Sequence, residues 1–155
     1  MAQTSQPTRF GHIYPIDEAW LAKAPPEQVL DPDVPIIDTH HHLWQRPDNW
    51  YLLHDFLADI ATGHNIVATV FLQCHTMYRA SGPEEMRPVG ETEFVAGQAA
   101  MSDSGGYGST RVAAGIVGYA DLTTEDVRPS LDRLSRYPLM RGVRMQLHWH
   151  ENAQY

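Results

Sequence analysis

The stretch VPIIDTHHH, Val34 to His42, decides how the rest of the chain is read. Its first half, Val34 to Asp38, is short, apolar and rich in β-branched residues, which predicts a buried strand. Its second half delivers three consecutive histidines where such a strand should end, in a loop that runs on as LWQRPDNW. Downstream, Tyr51, Leu52, Leu53, Phe56, Leu57 and Ile60 recur at helical spacing, and Gly63 supplies a stop. Ile66 to Gln73 (IVATVFLQ) is apolar almost throughout, as expected of a strand covered on both faces.

The same alternation continues. Cys74 to Gly90 reads as a long loop punctuated by Gly82, Pro83 and Pro88, and Glu91 to Met101 as a helix closed by the glycine-rich SDSGGYGS. Arg111 to Ala120 is a third strand whose small residues suit close packing. TTEDVRPSLDRLSRYP gives a third helix, capped by Thr123 or Thr124 and ended by Pro138, and Leu139 to Leu147 is the fourth strand. The order β-α-β-α-β-α-β predicts an α/β fold with parallel strands and right-handed crossovers. An open doubly wound sheet and the N-terminal half of a (β/α)8 TIM barrel both satisfy it. No glycine-rich dinucleotide fingerprint follows the first strand, which weakens the open sheet.

Composition sets the outer limits. The chain has 155 residues, 43% of them hydrophobic, and a net charge of −8. That profile belongs to a globular domain and lacks the basic face that nucleic acid or an anionic membrane requires. The polar start MAQTSQPTRF has no secretory apolar core, and Cys74 has no second cysteine to pair with, so a reducing, cytoplasmic setting is expected. Residues 1–33, with prolines at 7, 15, 25, 26 and 32, read as an irregular N-terminal arm, and residues 34–155 as the domain.

Strand C-termini in a parallel α/β fold open onto one face, where active sites form. His40, His41 and His42 follow strand one, His75 strand two, Asp121 strand three, and His148 and His150 strand four, so six of the nine histidines converge on one rim. Side chains alternate along an extended chain, so His40 and His42 share a face and His41 points the other way. Two imidazoles on one face can grip a metal ion or an anionic substrate. On strand four, Arg144, Gln146, His148 and His150 share a face. Arg144 either holds a substrate carboxylate or pairs structurally with Asp38 or Asp121. Trp44, Trp50 and Tyr51 either wall a ring-shaped substrate or pack the histidine loop against the arm. Cys74 reads as a buried small hydrophobe, Glu91 and Glu93 as first-turn helix residues, and His12, His54 and His64 as surface residues.

At Ile37-Asp38-Thr39-His40-His41-His42-Leu43-Trp44 the chain resembles the amidohydrolase superfamily, and within it the amidohydrolase-related branch of barrel hydrolases. Further matches are TVFLQ, GETEFVAG, AAGIVGYADL and LMRGVRMQL, which together cover most of the chain from Val34 onward. The resemblance implies hydrolysis of a lactone of a small carboxylated molecule. His40 and His42 would be catalytic, with Arg144, His148, His75 and Trp44 binding substrate. In metal-dependent members the histidine pair binds one divalent ion, zinc or manganese, whereas several lactonases of the branch are thought to need none. Strand four has no lysine or glutamate that could bridge two metals.

A whole barrel needs roughly 250 residues, so the resemblance covers strands one to four only. The family's last-strand aspartate, its general base, has no counterpart here, and the chain alone is expected to be inactive. The C-terminal half of the barrel, or a second copy, would cover the open strand edges. Two alternatives remain: a metal-dependent non-oxidative decarboxylase of the same branch, and a non-catalytic half-barrel that acts as a binding or oligomeric module.

Overall fold

The computed structural model describes residues 17–25, 27–47, 49–147 and 151. They fall into a compact unit, Glu27–Met145, and a second unit formed from Met1–Pro26 and Gln146–Tyr155. In the second unit the described secondary structure is one turn of helix, α1 (Glu18–Leu21), whose N-cap Asp17 accepts a hydrogen bond from the Trp20 amide.

The compact unit is α/β. Its strands β1 (Pro35–His41), β4 (Asn65–Leu72), β5 (Arg111–Tyr119) and β6 (Met140–Arg144) form one sheet in the order β1-β4-β5-β6, every pair parallel. Helices α2 (Leu53–Ile60), α3 (Val89–Asp103) and α4 (Arg128–Leu134) connect them. Strand order follows chain order with no reversal, so the sheet has no switch point of the kind that defines a dinucleotide crevice. Among the described residues no helix is long and apolar enough to cross a membrane.

The loop expected after the first strand is partly ordered structure. Strand β1 continues through His41, and β2 (Trp44–Arg46) pairs antiparallel with β3 (Asn49–Tyr51) in a small hairpin. The fourth strand is shorter than the sequence indicates, ending at Arg144 rather than Leu147. Helix α4 also starts later than expected. Thr123 and Thr124 do not cap it; both bond to Asp121, whose side chain and carbonyl draw them into a turn, and Val127 stands at the helix start without a side-chain cap.

Helices cover one face of the sheet. Leu53 and Phe56 of α2 and Val95 and Ala99 of α3 close over Phe71, Val112, Ala113 and Ile116. Full burial of the larger of these side chains contributes about 1.5–3 kcal/mol each. Val89, Ala120 and Leu134 extend this packing under α4. The opposite face is open: Ile37, paired with Ala68, is 59% exposed, and Val70, Val117 and Tyr119 are half-buried.

Candidate functional site

Three steps along β1, from Asp38 to His41, match only two along β4, from Thr69 to Phe71. One extra residue therefore sits in β1, and a bulge of this kind re-aims the side chains beyond it. The His40 amide donates to Asp38 Oδ1 across the irregularity. The bulge turns His41 onto the helix-covered face, where its ring stacks on Phe56 at 4.3 Å and Nε2 lies 2.9 Å from Thr69 Oγ1. Thr69 Oγ1 also accepts the Ala113 amide, tying β1, β4 and β5 together. Burial holds the His41 pKa down at about 4, so this histidine is a neutral core group.

His40 and His42 face the other way, as the alternation predicts, with ring centroids 5.0 Å apart and the rings nearly perpendicular. His42 Nδ1 lies 2.7 Å from the Leu72 carbonyl oxygen. A carbonyl only accepts, so Nδ1 carries the proton. Burial, with His40 and Arg144 nearby, lowers the His42 pKa below its ordinary value. The neutral ring therefore presents Nε2 as a bare lone pair.

Arg144 reaches the same place from the opposite edge strand. Its Nη2 donates to the Gln73 carbonyl at 2.7 Å. Successive carbonyls of an extended chain point to opposite sides, so Leu72 anchors His42 from the β1 side and Gln73 anchors Arg144 from the β6 side. Among the described residues Arg144 has no ion pair; the pairing with Asp38 or Asp121 considered from the sequence is not what holds it. Its Nε is buried without a hydrogen-bond partner.

His75 stands just beyond β4 in a left-handed conformation, φ 61°, unusual for a residue other than glycine. Its Nδ1 is 3.1 Å from the Tyr78 hydroxyl, and its ring is 5.3 Å from that of Tyr119. Partial burial and the charges of Arg144 and Arg46 lower its pKa. His75, Tyr78, Tyr119 and Asp121 line an open groove of about 500 Å³.

Of the residues marked out in the sequence, His40, His42, His75 and Arg144 thus gather at the C-terminal end of the sheet. Trp44 is half-buried; it stacks on Tyr51 at 4.8 Å and its Nε1 donates to Asn49 Oδ1. Trp50, on the same hairpin, is 62% exposed. His148 lies outside the described residues. Cys74 is half-buried, its thiol pushed up to about 12 chiefly by burial and by the adjacent Glu91, and its Sγ faces the Leu43 carbonyl at 3.4 Å.

The sequence reading missed the surroundings of Glu91. It occupies the first turn of α3 as expected, yet it is 1% exposed, and Oε1 accepts the amides of both Cys74 and Thr76, at 2.8 and 3.0 Å. Burial raises its pKa, against the pull of those two amides and of Arg144. Gly90, just before it, was the available signal. A Cβ there would lie 2.6 Å from the Met77 carbonyl oxygen and 2.7 Å from the Arg79 nitrogen, so the glycine marks where the loop presses on the helix.

The metal implied by the resemblance finds an incomplete donor set. His40 and His42 supply two imidazoles, and among the described residues no three His, Cys, Asp or Glu side chains are arranged around one ion. Zinc sites use at least three protein ligands, so these residues do not make up a metal centre by themselves.

Fold and site together define a parallel α/β protein with histidines and Arg144 at the C-terminal end of its sheet. No family model matches the chain, and no solved structure matches it. It is 33% identical over 143 residues to the uncharacterized protein y4mH of Sinorhizobium fredii, an alignment covering 78% of this chain and 43% of that protein. The chain thus spans less than half the length of that relative.

Proposed function

We propose that this chain forms the first half of a (β/α)8 barrel whose site hydrolyses a lactone of a small carboxylated molecule. The observation that carries the reading is the convergence of His42 and Arg144, from the ends of the two outer strands, on the neighbouring carbonyls of Leu72 and Gln73, with His40 beside His42. An unreversed parallel sheet with polar residues at its C-terminal rim is how the wall of such a barrel is built.

The chemistry follows from donors and acceptors. Arg144 seats the substrate carboxylate with the N–H groups its Gln73 contact leaves free. His42, neutral and protonated on Nδ1, has only an acceptor to offer at Nε2, so it orients the attacking water. The ring that polarises the lactone carbonyl is then His40, the exposed member of the pair. This divides between two residues a role that the resemblance assigns to both. His75 flanks the substrate from the loop after β4. By the resemblance, the remaining strands of the barrel supply the aspartate that serves as general base.

Ring opening releases a carboxylic acid, so base uptake in a pH-stat follows it directly. In the complete barrel, carboxylated lactones are expected to turn over, and Arg144→Ala to raise KM for them by about tenfold or more while sparing lactones without a carboxylate. Equal loss on both kinds of lactone would remove Arg144 from carboxylate binding. Carbon dioxide release, abolished by chelation, would instead favour a metal-dependent decarboxylase.

A further inference from the structure

The end of β4 and the loop that follows it place three residues of the rim. Leu72 offers its carbonyl to His42, Gln73 offers its carbonyl to Arg144, and His75 stands on the loop itself. The loop is also tied to the segment after β1, through Cys74 Sγ to the Leu43 carbonyl and through the Gln45 amide to Thr76 Oγ1 at 3.3 Å. What fixes the loop comes from beneath: the two amides on either side of His75, those of Cys74 and Thr76, both donate to one oxygen of Glu91. A left-handed residue that is not glycine persists only where its surroundings over-determine it. Here the clamp on both neighbours is that surrounding.

We infer that Glu91 is the positioning residue of the rim, a buried staple that holds His75 in its left-handed conformation and the Leu72 and Gln73 carbonyls where His42 and Arg144 need them. Glu91 touches no substrate in this arrangement; it acts through the loop. The inference builds on the proposed lactonase site, but its geometry is independent of which reaction the rim performs.

Two substitutions separate reach from charge. Glu91→Gln keeps an oxygen at the same distance to accept both amides and discards the charge. Glu91→Asp keeps the charge and withdraws it by one methylene, too far to clamp both amides. The readouts, on the full chain at neutral pH, are hydrogen exchange at the Cys74 and Thr76 amides and the imidazole nitrogen signals of His42 and His75. The expected result is wild-type behaviour in Glu91→Gln. In Glu91→Asp, protection of the two amides falls about tenfold or more and both imidazoles shift, while the core amides of β4 and β5 stay protected. The reverse pattern, Glu91→Gln perturbed and Glu91→Asp normal, would overturn the inference in favour of a purely electrostatic role. So would two variants both like wild type, a Glu91→Gln chain that does not fold, or a Glu91→Asp chain that unfolds globally. Once turnover is measurable, Glu91→Asp should lower kcat and Glu91→Gln should rescue it. Failure to find turnover in the complete barrel would count against the lactonase reading and leave the exchange and imidazole results standing.

Discussion

His42 Nδ1 and the carbonyl oxygen of Leu72 lie 2.7 Å apart, a side chain from the end of β1 meeting the backbone at the end of β4. The contact selects one tautomer and leaves Nε2 free to accept. Asparagine places an amide N–H where Nδ1 stands and nothing where Nε2 stands. His42→Asn is therefore expected to keep the melting temperature within a few degrees of wild type while reducing turnover by about a hundredfold or more. His42→Ala should lose turnover and also about 1 kcal/mol of stability, since the Leu72 carbonyl loses its donor. Thermal denaturation beside initial rates checks both. An active His42→Asn protein would show that the Nε2 lone pair is not used.

The neighbouring His41 has the opposite fate and gives the fold an acid sensitivity. Its pKa falls from 6.5 to about 4 on folding. Between those values the unfolded chain binds a proton that the native one refuses, so stability is complete above about pH 6.5 and declines as pH falls towards 4. The full drop is about 3 kcal/mol. Urea denaturation at several pH values, wild type against His41→Gln, isolates this slope from that of the carboxylates. Identical slopes would mean that His41 is not neutral in the core.

Cys74 should be inert in the native protein. With its thiol held up at about 12, almost no thiolate exists near neutral pH. Alkylation followed by mass spectrometry is expected to label it slowly in buffer and promptly in denaturant. Rapid labelling of the folded chain would contradict the burial described here.

Gly90→Ala tests the pressure of the loop on α3. The atoms a new Cβ would meet, the Met77 carbonyl and the Arg79 nitrogen, are backbone and cannot swing aside. A loss of about 1–3 kcal/mol is expected, read as a shift in denaturation midpoint without a change of slope.

Much of this arrangement is legible in the sequence because it depends on periodicity. The apolar run Ile66 to Gln73 and the small-residue run Arg111 to Ala120 read as strands and are strands, within a residue or so of their ends. Three consecutive histidines must alternate in an extended chain, so the pairing of His40 with His42 against His41 follows from spacing alone. What spacing does not reveal is the bulge between Asp38 and His41, which decides which face each set takes. That depends on register against β4, a relation between segments about thirty residues apart.

The same limit explains Glu91. A carboxylate in the first turn of a helix is ordinarily a solvated complement to the helix dipole, and apart from the adjacent Gly90 nothing local distinguishes this one from Glu93. Glu93 does face outward, to Arg79, Arg133 and Tyr137. Glu91 is buried because the loop after β4 folds back over it, and that loop is placed by the sheet. Asp121 similarly takes for its own turn Thr123 and Thr124, which by sequence alone suit the start of α4.

The most direct test of the proposed function is the initial rate of lactone ring opening in the complete barrel, this chain together with the strands that carry the general base, wild type against His40→Ala. A fall of about a hundredfold or more is expected, with the fold intact by circular dichroism, because His40 is exposed and holds no core contact in place. Ring opening at the wild-type rate in His40→Ala would contradict the assignment of the histidine pair as the catalytic centre.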